Sequence, residues 1–171
     1  PKLLKELAKV DGIEWIRILY CYPEEITDEL IEVIANEDKV CKYLDIPIQH
    51  ASDNILRRMA RRTSHDDLVN IIGKLRKNIP DITLRTTIIS GFPGETEEDL
   101  ETVIDFIKKM KFERLGVFTY SEEEGTVAAG FENQIDEEEK EARRDRIMRV
   151  QQEISEKNLE KMVGKTFKVL I

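Results

Sequence analysis

The part of the chain that most constrains its fold is residues 83–96, which read TLRTTIISGFPGET. An apolar, β-branched run leads into a Gly-Phe-Pro-Gly-Glu loop, and the loop leads into a helix that Thr96 and Asp99 would start as a capping box. Gly91 and Gly94 can adopt positive φ or allow a ligand close to the backbone. Parallel α/β folds usually bind ligands at the carboxyl end of such a strand. The segment therefore predicts a strand, a ligand-facing loop and a helix in succession.

The same strand-then-helix rhythm runs through most of the chain. Strands are predicted at 13–20, 40–48, 82–90 and 115–120, and helices near 28–35, 53–59, 65–77 and 97–110, with Thr27, Ser52 and Ser64 as N-caps. This alternation predicts right-handed crossovers and a mostly parallel sheet, open or partly closed as a barrel, so the fold class is α/β. A last, highly charged helix over 137–162, capped by Asp136 and ended by Gly164, is predicted to lie outside and bridge to another domain.

Composition limits the function classes. The 171 residues are 40% hydrophobic and 36% charged, which is enough for one core in a globular protein. The formal net charge of −8 argues against broad, nonspecific binding to nucleic acid. The sequence contains no long apolar run, so no membrane span is predicted. Cys21 and Cys41 lack metal-ligand spacing and are interpreted as small core residues of a reduced, cytoplasmic protein.

Polar side chains follow or interrupt the predicted strands. Gln49, His50 and Ser52 follow the second strand, Arg85 and Thr87 lie within the third, and Thr119, Tyr120 and Ser121 end the fourth. Buried polar groups need hydrogen-bond partners, so their convergence at one edge predicts a polar ligand there. Each also has a structural explanation. His50 could be a capping or core histidine, Gln49 could satisfy a backbone group, and the arginines at 57–62 could form a solvated helix face.

Three segments together are similar to a known family. They are LDIPIQHAS at 44–52, RTTIISGFPGET at 85–96 and FTYSEEEGT at 118–126. In this order they resemble the radical S-adenosylmethionine methylthiotransferases, and the resemblance covers essentially the whole chain. The closest likeness is to the branch that methylthiolates the β-carbon of an aspartate in a small-subunit ribosomal protein. The MiaB-like branch, which acts on tRNA adenosine, is the alternative.

The resemblance implies a fold and its cofactors. It implies a partial, open TIM-like radical SAM barrel of parallel strands with outer helices, whose latter part is residues 1–134. A long linker helix at 135–163 and the start of a TRAM-like β domain at 164–171 would follow. The implied cofactors are S-adenosylmethionine and two 4Fe-4S clusters, whose cysteine ligands do not occur in this chain. Cys21 and Cys41 are therefore not assigned as metal ligands, no catalytic residue is assigned, and the chain by itself is expected to be inactive.

The resemblance also implies binding residues and partners. The residues expected to bind the cofactor are Gln49, Arg85, Thr87, Ile89, Gly91, Phe92 and Gly94. The residues expected to bind the substrate are His50, Ser52, Tyr120, Glu123 and Glu124. The expected partners are the ribosomal protein and a reductant protein for the cluster.

Two readings from other classes stay open. A phosphate-binding aldolase or isomerase barrel without iron would need a catalytic lysine or a carboxylate pair at the strand ends, and Lys42 is the only lysine near a strand. A noncatalytic binding module would need neither.

Overall fold

The computed structural model describes residues 1–169, which form one four-stranded sheet and six α-helices. The strands are β1 (Ile16–Ile18), β2 (Val40–Asp45), β3 (Thr83–Ser90) and β4 (Arg114–Thr119). The helices are α1 (Lys2–Ala8), α2 (Asp28–Asn36), α3 (Asp53–Arg58), α4 (His65–Asn78), α5 (Glu97–Met110) and α6 (Glu137–Glu160). Residues 164–169, predicted to begin a β domain, contain no strand, and 170–171 lie outside the described residues.

The strands lie side by side in chain order, β1-β2-β3-β4, and every pair is parallel. Because crossovers between parallel strands are right-handed in nearly all proteins, a consecutive order places the connecting helices on one face of the sheet. The core follows this rule, since α2, α4, α5 and α6 share one buried cluster with Leu44, Leu84 and Ile88. The prediction of an α/β fold with an open parallel sheet and outer helices is confirmed. The other face of the sheet is the inner face of an open barrel.

Three helices begin at the predicted caps. The Thr27 hydroxyl accepts a hydrogen bond from the Leu30 N–H at 3.2 Å. Ser64 begins α4 in a capping box with its N3 residue, and Thr96 begins α5 in the same way with Asp99. Capping satisfies backbone N–H groups that the first helical turn leaves free.

The second strand ends earlier than predicted. Regular pairing stops at Asp45. The next backbone bonds to β3 come from the N–H groups of Ile46 and Gln49, so three residues advance here for two along β3, which leaves a gap in the ladder. The Thr86 hydroxyl of β3 fills part of this gap by donating to the Ile46 carbonyl at 2.8 Å. Backbone pairing resumes at Gln49, which bridges to β3 beyond the regular strand. The chain therefore stays aligned with β3 up to the residues predicted to bind a ligand.

Two elements near the amino end differ from the sequence prediction. Helix α1 was not predicted, although Leu4, Leu7 and Ala8 share the spacing of one helix face. Strand β1 has only three residues, because its register with β2 shifts and Tyr20 turns into the left-handed region at φ 56°.

Helix α6 is docked more closely than predicted. It packs against β4 and α5 and buries Lys140, Arg143, Ile147 and Gln151, whereas Leu159 is exposed. Asp136 occupies the N-cap position without a side-chain capping bond. Within residues 1–169, no helix has the length and apolar character needed to cross a membrane.

Candidate functional site

The inner face of the sheet carries a row of polar side chains. Along β3, Leu84, Thr86, Ile88 and Ser90 are buried, and the alternate residues Arg85, Thr87 and Ile89 are not. The side chains of one strand alternate between faces, so these three share the inner face. Register places Arg85 beside Asp45 of β2 and Ile89 beside Phe118 of β4.

Three of the predicted cofactor residues meet at one cavity of about 340 Å³. Gln49, Arg85 and Thr87 line it together with Tyr20, Tyr22, Asp45, Pro47, Arg61 and Phe118. Gln49 has φ 71°, a left-handed conformation that is uncommon outside glycine, and its N–H and C=O both bond to β3. Strained residues of this kind cluster at functional sites. The geometry thus brings Gln49 and Arg85 to the same place on the sheet.

Arg85 has a partner in the cavity wall. Its Nε lies 4.0 Å from Oδ1 of Asp45, and its side chain is 53% exposed whereas that of Asp45 is 5% exposed. The pKa of the Arg85 guanidinium is raised by the neighbouring Tyr43 phenol and, to a smaller extent, by the Asp45 carboxylate. Asp45 was not among the predicted site residues, although it lies two residues before Pro47 in the first quoted segment.

The glycine loop contacts other parts of the chain. A Cβ on Gly91 would collide with Cγ of Lys140, and a Cβ on Gly94 would lie 3.0 Å from Cζ of Arg58. Both glycines have positive φ, at 72° and 81°. Pro93 is held as well, because its carbonyl accepts a bond from Nε of Arg58 at 2.9 Å. The two glycines are therefore required by the close packing of α6 and α3, and their cofactor contacts stay a prediction.

Phe92, at the centre of this loop, is buried. Its ring packs edge-on against Tyr120 at 5.2 Å and against Phe131 at 6.1 Å between centroids. Ile89 packs against the same cluster and remains partly exposed on the inner face. Of these two residues, which were predicted to pack against an adenine ring, Ile89 is the accessible one.

Glu95 is the centre of a buried network that the sequence did not reveal. Its Oε2 accepts from the Gly91 N–H at 3.0 Å and lies 3.3 Å from Nε2 of His50, and its Oε1 accepts from Arg143 at 2.8 Å. Arg143 also donates to the Glu95 carbonyl at 2.9 Å. The Glu95 side chain is 1% exposed, and that of Arg143 is 10% exposed. This network ties α6 to the loop and to the end of the second strand.

His50 and Ser52, predicted to bind substrate, are internal. The Ser52 N–H donates to Nδ1 of His50 at 3.0 Å, so the imidazole proton is on Nε2 and is donated to Glu95. The Ser52 hydroxyl donates to Asp99 rather than capping α3. Both residues are buried and their polar groups are already bonded within the protein, so their contacts with a substrate stay a prediction.

Asp99 joins α3 to α5. Burial alone would raise the pKa of its carboxyl group, but hydrogen bonds from Ser52, Thr96 and Asn54 outweigh burial and lower it. The carboxylate is therefore held ionised at the base of the loop.

The other predicted substrate residues lie beyond β4. Tyr120 is buried, and burial together with the nearby Glu122 raises the pKa of its hydroxyl group. Lys140 lies over its ring, with Nζ 5.4 Å from the centroid. Glu123 and Glu124 are exposed in the loop before α6.

The arginines at 57–62 are only partly a solvated face. Arg61 lies over the ring of Tyr22, with Cζ 5.0 Å from the centroid, and donates to the Pro47 carbonyl at 3.3 Å. Lys42 donates to the carbonyls of Ile34 and Glu37 at the end of α2. These bonds hold Lys42 at the end of α2, whereas an aldolase-type barrel would need its catalytic lysine at the cavity.

Comparisons with known proteins agree with this geometry. Residues 1–107 match the family model described as the radical SAM superfamily. The ribosomal protein uS12 methylthiotransferase RimO of Lachnoclostridium phytofermentans is 61% identical over 171 residues, which are 100% of this chain and 39% of that protein. The RimO proteins of Clostridioides difficile and Clostridium perfringens are 56% and 57% identical over 99% of the chain and 38% of their own lengths. The chain thus spans about two fifths of the curated relatives it matches.

Two solved structures share the fold at low sequence identity. Coproporphyrinogen III oxidase (HemN) from Escherichia coli, a radical SAM enzyme, aligns with a TM-score of 0.70 at 17% identity, over 90% of this chain and 36% of that one. The radical S-adenosylmethionine methyltransferase TsrM from Kitasatospora setae aligns with a TM-score of 0.56 at 18% identity, over 69% of this chain and 24% of that one. The predicted open TIM-like radical SAM barrel is confirmed.

Proposed function

Because this chain belongs to the radical SAM superfamily, we propose that it is part of a methylthiotransferase that modifies the β-carbon of an aspartate in the small-subunit ribosomal protein uS12. The observation that carries the proposal is the 61% identity to a RimO protein, over an alignment that spans the whole chain. The proposal includes a cytoplasmic location and a reductant protein as second partner.

The residues of the cavity fit S-adenosylmethionine in size and chemistry. A volume of about 340 Å³ lies within the range of small-molecule sites. The Gln49 amide, the Thr87 hydroxyl and the Arg85 guanidinium are suited to ribose hydroxyls and a carboxylate, and Tyr20 and Phe118 offer apolar surface. When bound beside a reduced 4Fe-4S cluster, S-adenosylmethionine supplies a 5′-deoxyadenosyl radical. We propose that the cysteine ligands of the clusters lie in parts of the protein outside this chain, since Cys21 and Cys41 lack metal-ligand spacing.

The task of these residues is positioning. Gln49 is fixed by two backbone bonds to β3, so its amide is presented in one orientation. Arg85 and Thr87 extend from a central strand, which holds them more rigidly than a loop would. A cofactor held in this way would keep its reactive carbon near the substrate and away from water. Ile89 provides the apolar contact on the same strand.

The acidic loop is the proposed contact for the protein substrate. Glu123 and Glu124 are exposed, and the chain carries a net charge of −8, which favours association with a basic ribosomal protein. Replacing both with lysine should raise the KM for uS12 and leave the affinity for S-adenosylmethionine unchanged. The matched control is the double variant Glu153→Lys with Glu160→Lys, at two exposed sites on α6. An unchanged KM in the double variant would remove the loop from the interface.

The decisive experiment compares two substrates. The intact protein, prepared without oxygen and assayed for iron and acid-labile sulfide, is incubated with S-adenosylmethionine, a reductant and either uS12 or tRNA. Mass spectrometry should find one methylthio group on an aspartate of uS12. Modification of tRNA adenosine with uS12 unchanged would instead identify a MiaB-like enzyme. Absence of iron and sulfide would return the protein to the aldolase or binding-module classes.

A further inference from the structure

The inner-face cavity contains a buried acceptor atom that nothing in the described chain satisfies. Oδ1 of Asp45 is inaccessible to solvent and has no hydrogen-bond partner within residues 1–169. The nearest cation, Nε of Arg85, is 4.0 Å away, which is too long for a hydrogen bond. Nearly all buried polar atoms in folded proteins are paired, so an unpaired carboxylate oxygen calls for an explanation. A ligand in the cavity provides one.

We propose that Asp45 is a ligand-binding residue, and that it forms with Arg85 a split charge pair that receives an N–H cation on Asp45 and a carboxylate on Arg85. An ionised carboxylate only accepts hydrogen bonds, so its complement is an N–H donor, and a charged one also balances the buried charge. The Arg85 guanidinium, about half exposed beside it, offers its free donors to an anion. The two residues are register partners on β2 and β3, so the pair has a fixed spacing.

The ligand chemistry is therefore a group that carries both charges a few ångström apart. Two sources can supply it within the proposed function, on which this inference rests. One is the amino acid end of S-adenosylmethionine, and the other is a peptide segment with an acidic side chain next to a basic one. Gln49 and Thr87 are uncharged, so Asp45 is the only anion among the nine residues that line the cavity. Its removal should affect the cation contact alone.

The test uses Asp45→Asn in the intact protein, with Asp38→Asn as the matched control. Asp38 is exposed shortly before the same strand, so it undergoes the same chemical change outside the cavity. Three quantities are measured: the denaturation midpoint without ligand, the Kd for S-adenosylmethionine by equilibrium dialysis, and the KM for uS12. We expect Asp45→Asn to weaken one of the two ligands about tenfold or more, which corresponds to about 1.4 kcal/mol. The midpoint should stay the same or rise, because Oδ1 of Asp45 makes no hydrogen bond that the variant would lose.

Each outcome decides a point. A raised Kd for S-adenosylmethionine identifies the cofactor as the source, and a raised KM for uS12 with an unchanged Kd identifies the peptide. An unchanged Kd and KM would overturn the inference whether or not the midpoint falls, and a lower midpoint would then make Asp45 a structural residue. Failure of the wild-type protein to modify uS12 would refute the proposed function but leave the dialysis result valid.

Discussion

The buried ion pair between Arg143 and Glu95 allows the effect of removing Arg143 on the free energy of unfolding to be predicted. Arg143→Met keeps most of the side-chain volume but removes the donor to Oε1 of Glu95, whose side chain is 1% exposed. It also removes the donor to the Glu95 carbonyl. Removing one partner of a buried ion pair typically costs about 3–5 kcal/mol. Oε2 keeps its bond from the Gly91 N–H, so we expect a loss of about 2–4 kcal/mol in the free energy of unfolding.

The assay is urea denaturation of the intact protein followed by circular dichroism. Arg144→Met is the control, because Arg144 pairs with its neighbour Asp145 at the surface and should cost less than about 1 kcal/mol. Glu95→Gln, alone and combined with Arg143→Met, completes a double-mutant cycle that isolates the coupling between the two side chains. A loss below about 1 kcal/mol for Arg143→Met would refute the reasoning, since it would mean that Glu95 does not depend on this donor.

Two further predictions concern the loop and the helix that follows it. Gly91→Ala should lower the free energy of unfolding by about 3 kcal/mol or more, because a left-handed residue costs about 1–2 kcal/mol and its Cβ would also collide with Lys140. Gly125 has a similar φ and open space around it, so Gly125→Ala should show only the conformational cost in the same denaturation assay. The lowered pKa of Asp99 contributes stability above the unfolded-state value of about 3.9, and this contribution is lost as the pH falls through the lower folded-state value. Asp99→Asn should therefore cost about 1–2 kcal/mol at neutral pH and flatten the stability profile below about pH 4; a profile as steep as that of the wild type would assign the acid sensitivity to other carboxyl groups.

Local signals predicted the fold well. The capping box at Thr96 and the apolar stripe of the following helix gave α5 its observed bounds, because both depend on residues three or four positions apart. The parallel direction of the strands followed from the alternation of strands and helices, whereas their order in the sheet was not predicted. Strand ends were less predictable: regular pairing of β2 stops at Asp45, before the predicted end at residue 48, and β1 ends two residues before Tyr20, which adopts a positive φ.

The site was predictable only in part, because its contacts span long distances in the sequence. Gln49, Arg85 and Thr87 could be placed at one cavity from the parallel arrangement alone. The pairing of Glu95 with Arg143 could not, because 48 residues separate them and neither side chain has a local signature of burial. The same limit explains His50, whose sequence neighbours suggest a site residue and whose actual partner comes from the loop after the next strand.

One feature of α6 has a mechanical consequence. The helix has 24 residues and is about 36 Å long; its last buried residue is Gln151, and Ile154 in the next turn still packs against the core. Lys140 and Arg143, at the opposite end, touch Gly91 and Glu95 directly. Because the helix is rigid and packs on the edge strand β4, a force on its carboxyl end would also displace its amino end, which contacts the glycine loop. Tension on the far end of this rod thus reaches the rim of the barrel through two side chains.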